Sequence, residues 1–178
     1  GLCLVITPLI ALMKDQVAAL QKRGIKAQCI HSGLTAREIN IILENSIYGN
    51  FKFLYLSPER LNTELFLTKL PLLNVSFIVV DEAHYFKNAM VTTKMTRVAG
   101  ISQTESQKAS DMYMKCMYMD ELTGGHGIVF ATGTPISNSM TEMYIMMRYL
   151  QYGLLEQEGL LNFDAWASTF GESVTAIE

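Results

Sequence analysis

Short runs of apolar residues alternate along this chain with stretches in which apolar residues recur every three or four positions. The runs predict β-strands, because a strand that is buried on both faces carries apolar side chains at consecutive positions. Five strands are predicted in this way, over residues 2–7, 26–30, 51–56, 77–80 and 127–130. The spaced stretches between them predict helices. Strands that alternate with helices are typical of an α/β fold with a doubly wound parallel sheet.

Several helix boundaries are marked by capping residues. Gly24 follows a basic pair and predicts the end of the first helix. Thr35 and Glu38 have the spacing of a capping box, which predicts the start of the second helix. Ser57-Pro58-Glu59 combines a capping residue, a proline suited to a first turn and an acid near the positive helix end, so it predicts a third helix start.

Methionine is unevenly distributed. Only Met13 precedes His84, while ten of the eleven methionines fall between Met90 and Met147. Within this region residues 108–122 predict a helix that carries Met112, Cys116 and Met119 on one side. The helix after Ser137 is predicted to carry Met140, Met143, Tyr144 and Met147 along one face. We interpret these methionines as adaptable core packing.

Two adjacent acids end the fourth apolar run, in the order Phe77-Ile-Val-Val-Asp-Glu-Ala-His84. Open α/β sheets bind ligands at the carboxyl ends of their strands, where Asp81 and Glu82 are predicted to lie. One carboxylate there can hold a hydrated Mg²⁺ while the other orients or deprotonates a water for phosphoryl transfer. A solvated acidic turn is the alternative, and the order of residues favours nucleotide hydrolysis over it.

Small hydroxyls stand at two predicted strand-to-helix junctions, Thr7-Pro8-Leu9 and Ser57-Pro58-Glu59-Arg60. Helix N-termini and hydroxyls suit phosphate oxygens, although each junction taken alone predicts only helix capping. As a pair on the edge that carries Asp81, they predict a track for a nucleic-acid backbone. The nearby cations that can join it are Lys14, Arg37 and Arg60.

Thr132 and Thr134 leave the fifth strand in the sequence Ala131-Thr-Gly-Thr-Pro135. Their hydroxyls are predicted to hydrogen-bond the acidic loop, with turn and capping chemistry as the alternative. A GxxxxGK[ST] loop, which would cradle a triphosphate, does not occur in the 178 residues. Gly-rich residues 124–127 lack a following lysine and lead into a strand. The chain therefore has the water-and-metal half of a nucleotide site.

Composition narrows the classes of protein to consider. The formal net charge of −3 excludes a globally basic surface, so nucleic-acid binding would need a local groove. Cys3, Cys29 and Cys116 are far apart in the sequence, which favours a reduced, cytoplasmic protein without a cysteine metal site. No apolar run approaches the length of a membrane span, and no secretory signal pattern begins the sequence.

The segments TPLIALMKDQV, LSPERL, VVDEAH and ATGTP resemble the ordered motifs Ia, Ib, II and III of superfamily 2 helicases. Residues 1–84 are similar to RecQ DNA helicases, most closely in the first two segments. Residues 81–178 instead resemble the Swi/Snf-type helicase region of mobile-element and phage proteins, through DEAHYFKN, GIVFATGTPISNSMTEMYIMMRYLQ and FDAWASTFGE. The two resemblances overlap only on the DEAH box, where the methionine content also changes. This predicts a chimera of two helicases joined at their shared motif.

The resemblance implies ATP and Mg²⁺ as cofactors and DNA as the partner. Asp81 would be the Mg²⁺ ligand, through water, and Glu82 the catalytic acid that activates the attacking water. His84 would link the nucleotide site to Thr132 and Thr134. The residues implied to lie along the DNA backbone are Thr7, Pro8, Lys14, Ser57 and Arg60.

The resemblance also implies a partial first RecA-like domain of the P-loop NTPase class over residues 1–150, followed by a C-terminal extension over 151–178. Motif I and its strand would precede Gly1 and neighbour the strand at 127–130, whose edge is expected to be unpaired and prone to association. A second RecA-like domain would follow. The chain alone is therefore expected to bind ATP poorly and to hydrolyse it negligibly.

Three functions remain in view from the sequence. The first is a fragment of an ATP-dependent DNA helicase or translocase, and the second is a non-catalytic nucleic-acid-binding module. The third is an unrelated P-loop-type enzyme such as a small-molecule kinase, against which the missing Gly-Lys loop and the paired Thr-Pro and Ser-Pro junctions both count.

Overall fold

The computed structural model describes residues 1–95, 98, 107–137 and 139–171. The strands are β1 (Leu2–Ile6), β2 (Ala27–Ile30), β3 (Phe53–Leu56), β4 (Val75–Asp81) and β5 (Ile128–Ala131). The α-helices are α1 (Ile10–Lys22), α2 (Ala36–Tyr48), α3 (Glu64–Lys69), α4 (Gln107–Thr123), α5 (Met140–Leu150), α6 (Tyr152–Gln157) and α7 (Phe163–Phe170). Single 3₁₀ segments cover Pro58–Asn62, Leu70–Leu72 and Ala83–Phe86.

The described residues form two compact units. The first comprises Gly1–Glu82 and His126–Ala131 and contains the sheet. The second comprises the described residues of Ala83–Gly125 and Thr132–Glu178 and is helical. No helix within the described ranges is long and apolar enough to cross a membrane.

All pairs in the sheet are parallel, and the strand order is β2-β3-β1-β4-β5. From β1 to β2 the chain moves across the sheet towards one side, and each later strand lies further towards the other side. Because such crossovers are right-handed, α1 and α2 lie on opposite faces of the sheet. The predicted α/β class with a doubly wound parallel sheet is confirmed.

Each face of the sheet has its own core. On one face Val5 and Tyr55 pack with Met13 and Val17 of α1. The alternate residues of β1, β3 and β4 are more completely buried, and they include Leu4, Ile6, Leu54, Leu56 and Val80. This alternation follows from the two-residue period of a strand.

The prediction that the fourth strand is buried on both faces is only half right. Ile78 and Val80 are buried, whereas Phe77 and Val79 on the other face are half-buried. Helix α1 covers that face of the sheet, but it packs mainly against β2 and β3 and less over β4. Val79 reaches only the margin of the core that α1 makes.

The predicted helix starts and ends are largely present. Thr35 and Glu38 form the capping box of α2: the Thr35 hydroxyl accepts from the Glu38 N–H at 3.3 Å, and the Glu38 carboxylate accepts from the Thr35 N–H at 2.7 Å. These hydrogen bonds hold the pKa of Glu38 below its usual value. Gly24 ends the turn after α1 with a φ of 75°, a conformation that favours glycine.

In the second unit, α4 buries the side that the sequence predicts, with Ala109, Met112, Cys116 and Met119 inside. Burial raises the pKa of the Cys116 thiol to about 12, so the thiol is protonated and behaves as an apolar group.

The helix predicted after Ser137 is present as α5, but the prediction of its inward face is wrong for two residues. Met140 is 47% exposed and Met143 is 41% exposed. The inner side carries tyrosines instead. Tyr144 packs on the rings of α7, and the Tyr149 hydroxyl donates to the carbonyl of Ala109 at 2.7 Å. These rigid, hydrogen-bonded aromatics fix the rotation of the helix more strongly than flexible methionines do.

Candidate nucleotide and nucleic-acid site

One edge of the sheet brings together the two strand-to-helix junctions and the first acid. Ile6 of β1 is in register with Leu56 of β3 and with Val80 of β4. The residues one position further along these three adjacent strands are Thr7, Ser57 and Asp81. Since the strands are parallel, all three lie at the carboxyl edge, where α/β folds bind ligands.

The hydroxyls at this edge are not helix caps. Thr7 is fully buried, and its hydroxyl has no hydrogen-bond partner among the described residues. Helix α1 begins three residues later, with Leu9 at its N-cap. Ser57 precedes the 3₁₀ turn of Pro58–Asn62 without a side-chain capping bond, so the α-helix predicted there is a single 3₁₀ turn.

The members of the predicted backbone track differ in exposure. Thr7 and Ser57 are buried, Pro8 and Arg60 are half-buried, and Lys14 is exposed near the start of α1. The solvent-facing part of the track in this unit therefore consists of Pro8, Lys14 and Arg60. Arg37 is exposed on the first turn of α2.

The two acids have different backbone environments. Asp81 is the last residue of β4, pairs with Ala131 of β5 and is half-buried. Its Oδ1 accepts from the Glu82 N–H at 3.0 Å, which orients the carboxylate. Glu82 has a φ of 51°, in the left-handed region that residues with a side chain rarely adopt. Strain of this kind is concentrated at functional sites.

Relief of this strain gives a stability prediction. Glu82→Gly is expected to raise the free energy of unfolding by about 1 kcal/mol, since glycine adopts the left-handed region without a steric penalty. Urea denaturation measures the change. Asn50→Gly is the matched control, because Asn50 has a φ of 55° outside the site and asparagine tolerates that region better. A Glu82→Gly variant less stable than the parent protein would contradict the strained backbone.

In the second unit, His84 and Thr132 are in contact. The His84 Nδ1 and the Thr132 Oγ1 are 3.2 Å apart, and the same hydroxyl accepts from the Thr134 N–H at 3.1 Å. The contact that the helicase resemblance implies for His84 and Thr132 is therefore present. Thr134 takes part through its backbone, and its side chain is exposed.

A buried ion pair escaped the sequence reasoning. The Lys87 Nζ lies 3.0 Å from the Glu142 Oε1, and their side chains are 14% and 8% exposed. The other oxygen of Glu142 accepts from the Ser137 N–H at 2.7 Å, and Lys87 also donates to the Ser137 hydroxyl. The pair thus connects the 3₁₀ turn after the acids with the loop that follows Thr134. The signal for it was an acid within the apolar side of α5.

The Mg²⁺ ion that the resemblance implies would be coordinated by few protein ligands. Within the described residues, no group of three or more histidines, cysteines and acids is arranged to hold a metal ion. Mg²⁺ in nucleotide sites typically uses one or two carboxylates, several waters and the substrate phosphates. A single oriented carboxylate such as Asp81 fits that kind of site, and Asp81 is the residue that would hold the ion.

Comparison with known proteins identifies the class. A profile described as a probable helicase domain matches residues 67–178, more than half of the chain. The chain therefore belongs to this helicase domain family.

Individual relatives are more specific. The chain is 45% identical over 84 residues to the ATP-dependent DNA helicase RecQ of Haemophilus influenzae, an alignment that covers 47% of this chain and 14% of that protein. It is 44% identical over 85 residues to the probable ATP-dependent DNA helicase RecS of Bacillus subtilis, again over 47% of this chain and 17% of the other. The chain thus spans only a small part of the length of these relatives.

One solved structure is similar over most of the chain. It is the solution structure of a de novo designed protein with a P-loop NTPase fold, with a TM-score of 0.37 and 13% identity over 89% of this chain and 96% of the design. A TM-score this low does not establish a common fold, and the fold class rests on the parallel sheet itself.

Proposed function

We propose that this chain is part of the first RecA-like domain of an ATP-dependent DNA helicase or translocase. The observation that carries the proposal is the register that sets Thr7, Ser57 and Asp81 side by side at the carboxyl edge. The sequence similarity to proteins named ATP-dependent DNA helicases supports it.

In this function the two acids divide the work. Asp81, oriented by the Glu82 N–H, would hold Mg²⁺ through water, and the ion would supply positive charge for the phosphate. Glu82 orients the attacking water and accepts its proton. The contact of His84 with Thr132 gives the loop after β5 a means of responding to changes next to the acids.

The DNA backbone would lie along the other half of the edge. Lys14 and Arg60 supply positive charge there, beside Pro8 and the buried hydroxyls of Thr7 and Ser57. Because the net charge of the chain is −3, these local cations matter more than any overall field.

Salt-dependent binding of single-stranded DNA tests this part of the proposal. Lys14→Gln and Arg60→Gln are each expected to weaken binding and to reduce the slope of log Kobs against log salt by about 0.7, the value for one phosphate contact with a single strand. Fluorescence anisotropy of a labelled oligothymidine measures both quantities. Lys22→Gln is the matched control, because Lys22 lies in the last turn of α1, at the end opposite Lys14. Equal slopes for all three variants would contradict the predicted track.

A non-catalytic nucleic-acid-binding module is the second candidate. It would use the same half of the sheet edge, with Lys14 and Arg60, and would not use the acids. Titration with Mg²⁺ and a labelled ATP analogue, in a longer polypeptide that joins this chain to a GxxxxGK[ST] loop and a second RecA-like domain, separates the two candidates, since only the helicase function requires the acids to contribute to nucleotide binding. Binding that Asp81→Asn weakens supports the helicase, and binding that Asp81→Asn leaves unchanged supports the module.

The proposal also includes the motif I strand and the second RecA-like domain that the resemblance implies, and the chimera of two helicases. Strand β5 lies at the edge of the sheet, and Val129 within it is 42% exposed. We propose that a motif I strand pairs at this edge and that a second RecA-like domain completes the motor. The joint could have arisen by design, by recombination or by sequence assembly. Sequencing the coding DNA across residues 75–95 in an independent isolate tests for an artefact, because a natural joint would recur there.

A further inference from the structure

His31 extends the row of residues at the carboxyl edge. Ile30 of β2 is in register with Leu56 of β3, so His31 stands beside Ser57 one position beyond the paired strands. The row therefore runs from His31 through Ser57 and Thr7 to Asp81. Nothing in the spacing of histidines along the sequence marked His31 as a site residue.

Local hydrogen bonds fix the tautomer of His31. The Gly33 N–H donates to the His31 Nδ1 at 3.1 Å, so Nδ1 acts as an acceptor and carries no proton. The neutral ring consequently carries its proton on Nε2. Arg60 donates to the His31 carbonyl at 3.3 Å, which ties the guanidinium to the same turn.

The charges around His31 come from three elements. Lys14 belongs to α1, Arg60 to the 3₁₀ turn after β3, and Glu38 to α2. Burial lowers the pKa of His31, Lys14 and Arg60 lower it further, and Glu38 opposes them. Glu38 is already engaged by the N–H and the hydroxyl of Thr35. Burial and both cations therefore favour the neutral form of the ring.

We infer that His31, Lys14 and Arg60 form a phosphate subsite at the outer end of the row, in which the His31 Nε2–H donates to one backbone phosphate of single-stranded DNA. The inference rests on the proposed function for the identity of the ligand. Two cations and a ring N–H offer only donors and positive charge, which suits a phosphodiester oxygen. Two strands, β3 and β1, lie between His31 and the β4 acid that would hold the metal.

A bound phosphate changes the proton equilibrium of the ring. In the free protein burial and the neighbouring cations hold the pKa of His31 below its usual value of 6.5, and a phosphate oxygen at Nε2 would raise it. Binding therefore takes up part of a proton in the window between the two pKa values. Affinity is expected to increase as pH falls through this window and to be independent of pH above it, where the neutral ring still donates its Nε2–H.

Two substitutions of His31 distinguish the acceptor role of Nδ1 from the donor role of Nε2. Asparagine places an oxygen near Nδ1, which keeps the acceptor for Gly33 and removes the outer donor. Glutamine places its amide near Nε2 and keeps a donor that does not titrate. At pH 7, His31→Asn is expected to weaken binding of a fluorescein-labelled oligothymidine by about tenfold. His31→Gln is expected to bind within about threefold of the parent protein and to lose the increase in affinity between pH 8 and pH 5.5.

The control is His126→Gln, since His126 is exposed before β5, at the opposite edge of the same sheet. It is expected to leave both the affinity and the pH profile unchanged. Circular dichroism and urea midpoints establish that the His31 variants are folded. Parent-like binding by His31→Asn, or a pH profile that persists in His31→Gln, would overturn the subsite. If the parent protein itself shows no salt-dependent binding of single-stranded DNA, the proposed function fails as well; if only Lys14 and Arg60 matter, the subsite alone fails.

Discussion

Lys87→Met is expected to lower the free energy of unfolding by about 3–5 kcal/mol, because it leaves the carboxylate of Glu142 buried without its cation. Glu142 is 6% exposed, so water cannot replace the lost ammonium without opening the second unit. The backbone N–H and the hydroxyl of Ser137 remain as donors and offset part of the loss. Trp166 is the single tryptophan, lies in the same unit and is 1% exposed, so its fluorescence during urea denaturation reports the change.

The matched variants distinguish an unpaired buried charge from lost packing. The double substitution Lys87→Met with Glu142→Leu removes both charges and is expected to recover most of the stability, since apolar replacement of a buried pair is often neutral. Lys115→Met breaks a more exposed i,i+4 pair with Asp111 and is expected to cost about 0.5 kcal/mol. A loss below about 1 kcal/mol for Lys87→Met would mean that water solvates the pair.

The sheet was predictable because its strands satisfy both local and global preferences. Continuous apolar runs have no stable exposed face, so they have to lie inside a covered sheet. The capping box of Thr35 and Glu38 fixes the start of α2 from a few neighbouring residues. Such short-range chemistry needs no knowledge of the tertiary structure.

Features that depend on distant residues were not predictable. Lys87 and Glu142 are far apart in the sequence, and nothing local to either indicates the other. The rotation of α5 depends on Tyr144 and Tyr149 finding partners in other helices. The methionine pattern is compatible with more than one rotation, because methionine packs well in many environments.

In the candidate site, too, some features were predictable from the local sequence and others depended on distant residues. The rule that ligands bind at the carboxyl ends of parallel strands predicted the shared edge of Thr7, Ser57 and Asp81. It did not predict that the hydroxyls of Thr7 and Ser57 are buried, because burial depends on the helices that follow them. His31 obeys the same rule, but a lone histidine before Ser32-Gly33 is equally typical of a turn, so His31 was not predicted to belong to the site.

Glu82→Gln is expected to lower the rate of ATP hydrolysis by about 10²–10⁴-fold, the contribution typical of a general base. The amide keeps the size and the hydrogen-bonding geometry of the carboxylate but cannot accept the proton of the attacking water. The rate is measured with DNA present, in a longer polypeptide that joins this chain to a GxxxxGK[ST] loop and a second RecA-like domain. The chain by itself is expected to remain at background.

Glu59→Gln is the matched control for this measurement, because Glu59 is an exposed acid in the 3₁₀ turn beside the proposed DNA track. It changes the charge at the same sheet edge without touching the proposed water site, so its hydrolysis rate is expected to stay within about twofold of the parent, the effect of a surface charge. Nucleotide affinity is expected to be similar in both variants, since the base acts in the chemical step and not in ground-state binding. Undiminished hydrolysis by Glu82→Gln would remove Glu82 from the chemistry and leave its left-handed backbone without a catalytic reason.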